Sequence, residues 1–123
     1  MTKKILIVDD EPDIVKITNF RLKKLGYETE TAANGKEALD LLKTNTFDLI
    51  FLDLRMPVLD GYETCKIIKA DDKLKDIPII VFSASTSQSS ESIKIQLDIT
   101  DVLIKPFEPE DLISKVKNLI GEP

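Results

Sequence analysis

The stretch Leu49-Ile50-Phe51-Leu52-Asp53 sets four apolar residues in a row directly before a carboxylate. An unbroken apolar run this short, bounded by turn-forming residues, predicts a strand covered on both faces, as in a parallel sheet sandwiched between helices. Asp53 then stands at the strand's carboxyl end. Ligands of open α/β sheets bind at that end, which makes Asp53 a candidate for chemistry. The same pattern recurs along the chain. Ile5 to Val8 ends at Asp9, Asp10 and Glu11; a run opened by Ile77 and Pro78 continues through Ile79 to Phe82 and ends at Ser83; Val102 to Ile104 ends at Lys105 and Pro106. Glu28 to Ala32 alternates polar residues with threonine and reads as a less buried edge strand.

Helical spacing fills the gaps between these runs. Pro12 suits a first helical turn, and Ile14, Ile17, Arg21, Leu22 and Leu25 follow at helical intervals, closed by Gly26. Asn34 and Gly35 make a turn into Lys36 to Lys43, with Thr44 to Thr46 as the next loop. Pro57 and Gly61 mark residues 54–61 as a loop over the strand end, and Tyr62 to Ala70 forms a helix with Ile67 and Ile68 facing inward. Ser85 to Ser92 reads as a serine-rich, mobile connection. Beyond it Ile93, Ile95, Leu97 and Ile99 alternate in the manner of a strand, so a fourth helix is expected there on topology alone. Leu112, Ile113, Val116, Leu119 and Ile120 share one face of a last helix, whose first turn carries Glu110 and Asp111 against its positive end. Five alternations of strand and helix, with crossovers long enough for parallel pairing, predict a doubly wound α/β sandwich.

Composition narrows the function classes. A chain of 123 residues holds one domain, with 42% hydrophobic and 32% charged residues typical of a soluble globular protein. No apolar run is long enough for a membrane span, and Lys3 and Lys4 lead straight into a strand with no signal pattern, so the expected compartment is the cytoplasm. The single cysteine, Cys65, excludes an internal disulfide and reads as a small buried hydrophobe. A net charge of −5 argues against direct nucleic-acid binding, which needs a basic face. The chain has no histidine. Catalytic triads, cysteine–histidine dyads and histidine-ligated metals are thereby removed, and any chemistry must run on carboxylates, lysines and hydroxyls.

The strand ends supply such a set. Asp9, Asp10, Asp53, Ser83 and Lys105 all fall on the carboxyl edge of one parallel sheet. Two carboxylates about 4 Å apart repel by roughly 4 kcal/mol at an effective dielectric near 20, so the cluster must bind a cation or take up protons. Oxygen ligands alone suit a hard ion such as Mg²⁺. Carboxylates, a lysine and a hydroxyl around Mg²⁺ are built for phosphoryl transfer, in which the protein positions groups and neutralises charge.

These residues carry a resemblance that covers the whole chain. Asp9-Asp10-Glu11 after the first strand, Asp53 followed by Met56, Pro57, Asp60 and Gly61, Ser83-Ala84 after the fourth strand, and Lys105-Pro106-Phe107 together resemble the receiver domain of two-component response regulators, close to the single-domain chemotaxis type. The resemblance implies a flavodoxin-like three-layer sandwich with sheet order 2-1-3-4-5, which periodicity does not fix, and a single receiver domain with its core at about residues 3–120. It implies that Asp53 accepts a phosphoryl group from a sensor histidine kinase or phosphotransfer protein, and that the chain catalyses its own phosphorylation and dephosphorylation without being a conventional enzyme. Asp10, Asp53 and the Arg55 backbone carbonyl would bind Mg²⁺, with Asp9 holding a metal-bound water. Lys105 and the Ser83 hydroxyl would engage the phosphoryl oxygens together with the backbone N–H groups of Arg55 and Ala84. The Lys105–Pro106 peptide is expected to be cis. Kinases would dock near Ile14 and Val15, and the chain would be a monomer or a phosphorylation-linked dimer with a downstream protein partner that the sequence does not name.

Two departures bear on the output. Many relatives carry an aromatic three residues before the lysine, where this chain has Val102, and Gly-Ala before the fifth strand, where it has Asp98-Ile99. Two alternatives stay open at this point. One is a Mg²⁺-dependent phosphohydrolase with an aspartyl nucleophile, although Leu54 and Arg55 supply no second acid after Asp53. The other is an interaction module that keeps the fold but does not respond to phosphorylation. No output domain is expected after Ile120, which leaves a stand-alone regulator and an excised receiver both open.

Overall fold

The computed structural model describes residues 2–84 and 90–123. Strands β1 (Lys4–Val8), β2 (Glu28–Ala32), β3 (Leu49–Asp53), β4 (Ile79–Ala84) and β5 (Asp101–Lys105) alternate with helices α1 (Pro12–Leu25), α2 (Gly35–Thr44), α3 (Gly61–Ala70), α4 (Ser90–Leu97) and α5 (Pro109–Ile120). All four strand pairings are parallel and the sheet order is β2-β1-β3-β4-β5. The polar strand β2 is an edge, as expected, and every residue of β3 is buried.

The apolar runs serve two cores at once. Leu6, Val8, Ile50, Leu52, Ile79 and Val81 belong to one layer with Ala38, Leu42, Cys65, Ile68, Ile93 and Leu97 of α2, α3 and α4. Ile5, Ile7, Leu49, Phe51, Ile80 and Phe82 belong to the other, with Leu22 of α1 and Leu112 and Val116 of α5. Successive strand residues point to opposite faces, so a strand covered by helices on both sides must be apolar at every position.

Several expected helix faces are corrected. In α1 the inward positions are Thr18 and Leu22, flanked by the half-buried Ile14 and Leu25, a spacing of four, four and three. Ile17 and Arg21 lie beside that stripe and are exposed. In α3 the buried set is Gly61, Thr64, Cys65 and Ile68, which turns Ile67 outward. The fourth helix is present, and its misleading alternation has a simple origin. Ile93 and Leu97, four apart, are buried, while Ile95 between them is 79% exposed. Ile99 is buried only after the chain has left the helix through Asp98 at φ 54°. The helix α4 begins at Ser90, so residues 90–92 of the expected serine-rich connection are helical, and residues 85–89 lie outside the described residues. Ile77 and Pro78 precede β4, with the Pro78 carbonyl accepting the Ile50 N–H at 3.0 Å, and Thr44 ends α2 rather than opening a loop.

The segment after β3 is pinned from two sides. The Gly61 N–H donates to the Leu54 carbonyl at 3.0 Å and the Gly35 N–H to that of Leu59 at 3.1 Å. A Cβ at Gly35 would stand 1.9 Å from Thr64 Oγ1, so only glycine lets α2 approach α3 this closely. Asp60 caps α3 by accepting the Glu63 N–H at 2.9 Å. The loop over Asp53 is thus held at both ends.

Candidate functional site

The parallel register brings the strand ends together. Asp53 pairs with Phe82, one residue before Ser83, and Ala84 pairs with Lys105. Asp9 follows β1 and is held to the sheet by its own N–H, which donates to the Ala32 carbonyl at 3.1 Å. Asp9, Asp10 and Asp53 each bring one carboxylate oxygen to within 4.8 Å of the other two. Asp9, Asp53 and Ser83 are buried, and Asp10 is exposed.

Lys105 enters this cluster from the opposite side. Its Nζ donates to Asp9 Oδ2 at 2.9 Å and to Glu11 Oε1 at 2.7 Å, and stands 3.7 Å from Asp53 Oδ2. The same ammonium lies 5.8 Å from the centre of the Phe82 ring, which is stacked between Phe51 and Phe107. The Lys105–Pro106 peptide is cis, as the resemblance implies. Asp9 has a second duty, since its Oδ1 accepts the Glu11 N–H at 3.0 Å. The Arg55 N–H points at Asp53 Oδ1 from 3.4 Å, and the Arg55 side chain is exposed.

The electrostatics follow from this crowding. Burial is the main reason the Asp53 pKa is pushed up to about 7, and the neighbouring Asp9 charge adds to it; Lys105 and the Arg55 N–H act in the other direction. Burial alone would lower the pKa of Lys105, but its hydrogen bonds to Glu11 and Asp9 and the charges of Asp9 and Asp53 outweigh it and raise that pKa. An acidic pocket that drives its own central carboxylate toward the neutral form is short of positive charge. Its donor set is all oxygen, so the residues present fit a hard divalent cation.

The chain matches the family model described as response regulator receiver domain over residues 5–117. The chain belongs to this receiver family. Its fold agrees with a chemotaxis protein of Vibrio cholerae, CheY4, at a TM-score of 0.89 and 34% identity, covering 98% of this chain and all of that one (100%). It is similar to the receiver domain of the sensor histidine kinase PA1611 from Pseudomonas aeruginosa, with a TM-score of 0.88, 31% identity, and coverage of 99% and 100%; that structure has a magnesium ion coordinated in its active site cleft. A probable transcriptional regulator, ycf27, of Cyanidium caldarium is 43% identical over 94% of this chain and 45% of its own length. The chain spans about half the length of the curated relatives it matches. Membership makes it a phosphorylation-activated switch of two-component signalling, and neither the phosphohydrolase nor the unresponsive interaction module is favoured.

Within this receiver, Asp9, Asp10, Asp53, Ser83 and Lys105 lie at the carboxyl ends of β1, β3, β4 and β5. Glu11 is the residue whose part the sequence did not disclose. It belongs to the Asp9-Asp10-Glu11 run, but nothing local says that its side chain reaches Lys105, 94 residues away. Val102, the position where many relatives carry an aromatic, is buried in the layer containing Ile93, Leu97 and Ile99. Cys65 is buried with its thiol pKa raised, mainly by burial, and its Sγ lies 3.6 Å from the Leu97 carbonyl, consistent with a packing role. No helix among the described residues is long and apolar enough to cross a membrane.

Proposed function

We propose that Asp53 is the phosphoacceptor of this receiver and that the phosphoryl group comes from the histidine of a separate sensor kinase or phosphotransfer protein. The observation that carries this is the convergence of Asp9, Asp10 and Asp53 within 4.8 Å beside a largely buried lysine. An Asp53 carboxylate oxygen attacks phosphorus, the P–N bond to the donor imidazole breaks with its electron pair going to nitrogen, and an acyl phosphate forms. Hydrolysis later returns the carboxylate and inorganic phosphate. Asp10, Asp53 and the Arg55 backbone carbonyl would hold Mg²⁺, with Asp9 beside them. Bound Mg²⁺ would supply charge neutralisation for the phosphoryl oxygens.

The remaining work falls to the chain's own groups. Lys105 pairs with phosphoryl oxygens as they arrive, the Ser83 hydroxyl and the Arg55 and Ala84 N–H groups complete the cradle, and movement of Ser83 toward the phosphoryl starts the change of the partner-binding face. Residues 1–123 act as one receiver unit, in the cytoplasm, as a monomer or a phosphorylation-linked dimer. A net charge of −5 supports a protein partner rather than direct contact with nucleic acid.

Intact mass after incubation with Mg²⁺ and a small phosphodonor tests the reading, beside Asp53→Ala and a metal-free control. The expected result is a gain of one phosphoryl group that needs both Asp53 and Mg²⁺. Absence of that gain from the folded protein under donor excess would overturn it.

A further inference from the structure

Glu11 occupies the cap position of α1 but does not cap it: its backbone is extended at φ −89° and ψ 108°, and its side chain makes no capping hydrogen bond to the helix. The carboxylate instead crosses the mouth of the site to Lys105 Nζ at 2.7 Å, the shorter of that ammonium's two hydrogen bonds. The reach is prepared by Asp9, whose Oδ1 fixes the Glu11 N–H while its Oδ2 holds the same lysine. Lys105 therefore faces three carboxylates, and the one farthest from it is Asp53 at 3.7 Å.

These three partners are not equivalent. Asp9 and Asp53 would also serve the cation in the proposed site, whereas Glu11 would have no such duty, so the cation would not compete with Lys105 for the Glu11 carboxylate. An ammonium has three N–H donors and a limited reach. A phosphoryl group on Asp53 must draw Lys105 toward itself against the Glu11 carboxylate. We infer that Glu11 is a positioning residue that parks Lys105 at the mouth of the site and competes with the phosphoryl group for it, setting how strongly the phosphorylated state is favoured. The inference rests on Asp53 being the phosphoacceptor.

Beryllium trifluoride, which adds to a carboxylate as a mimic of an acyl phosphate, is the probe, titrated calorimetrically in the presence of Mg²⁺. The Glu11 side chain is 57% exposed, so water screens the contact and the effect is modest. Glu11→Gln should bind the mimic about two- to fivefold more tightly than the wild type. Glu11→Asp, one methylene too short for the span, should also bind more tightly. In a Lys105→Met background, Glu11→Gln should change nothing. The Lys105 ammonium should give a sharp ¹⁵N signal in the wild type that broadens in Glu11→Gln.

Unchanged or weaker binding by Glu11→Gln would overturn the inference, as would persistence of its effect without Lys105. Wild-type binding by Glu11→Asp would also overturn it, since charge without reach would then suffice. Wild-type protein that binds the mimic through Asp53 while Glu11→Gln has no effect removes this inference alone. Failure of the wild type to bind it removes the phosphoacceptor reading as well.

Discussion

Gly61 packs so closely on the end of β3 that a Cβ at this position would stand 2.1 Å from the Asp53 carbonyl oxygen and 2.6 Å from Leu54 Cα. The first turn of α3 and the residue expected to carry the phosphoryl group are therefore in backbone contact. Gly61→Ala must push α3 away or rotate the β3 terminus. The expected cost is about 1 to 3 kcal/mol of stability, the range for overpacking a well-packed core, together with slower phosphorylation of Asp53. Urea unfolding and phosphodonor kinetics on the same preparation check both.

The raised pKa of Asp53 makes stability and metal binding depend on pH in a definite direction. Below the unfolded value near 4 the carboxyl is protonated in both states and contributes nothing. Between there and about 7 the unfolded chain ionises first, so without metal this group makes the fold less stable as pH rises, levelling off above 7. Asp53→Asn should therefore stabilise the metal-free protein at pH 8, with a gain that shrinks toward pH 4. Mg²⁺ binding near pH 7 should release protons, and its affinity should fall as pH drops below 7. Thermal melts across pH and calorimetry in two buffers of different ionisation enthalpy measure these effects; a gain that grows toward acid would contradict the assignment.

Thr18 is fully enclosed in α1, and its hydroxyl has no hydrogen-bond partner among the described residues. Leaving a polar group buried and unpaired is unfavourable, and valine fills nearly the same volume without it. Thr18→Val should raise stability by about 1 kcal/mol, seen as a higher urea midpoint at unchanged slope.

Among the described residues two that bear side chains, Val58 and Asp98, occupy the left-handed region, and they should not respond alike. Val58, at φ 69° and 77% exposed, is β-branched and bears the steric penalty with no burial to offset it; the Leu59 N–H closes a tight turn around it onto the Pro57 carbonyl at 2.8 Å. Asp98, at φ 54°, is of a type that tolerates this region. Val58→Gly should stabilise by about 1 kcal/mol, and Asp98→Gly by less, in paired denaturation curves.

Much of the molecule is legible in its sequence for a physical reason. A central parallel strand is covered on both faces, so β1, β3 and β4 announce themselves as continuous apolar runs, and the residues that interrupt them, Asp9, Asp53 and Ser83, are the ones at the sheet edge where the site forms. Helix faces are harder to read. Ile17 and Ile67 are as apolar as their buried neighbours, and a displacement of one residue, about 100° around a helix, moves a side chain from core to solvent. The alternation across Ile93, Ile95, Leu97 and Ile99 fits strand and helix alike, and packing of Ile93 and Leu97 into the core decides between them.

What the sequence determined alone is the layered α/β architecture and the identities of the acids, hydroxyl and lysine at its carboxyl edge, because burial imposes a periodic pattern that local residues must obey. The tertiary structure decided which charges meet: that Lys105 rests on Asp9 and Glu11 rather than Asp53, and that burial beside Asp9 lifts the Asp53 pKa to about 7. Ion pairs between side chains 94 and 96 residues apart leave no periodic trace, since a long flexible lysine can reach any of several acids and only the assembled sheet sets the distances.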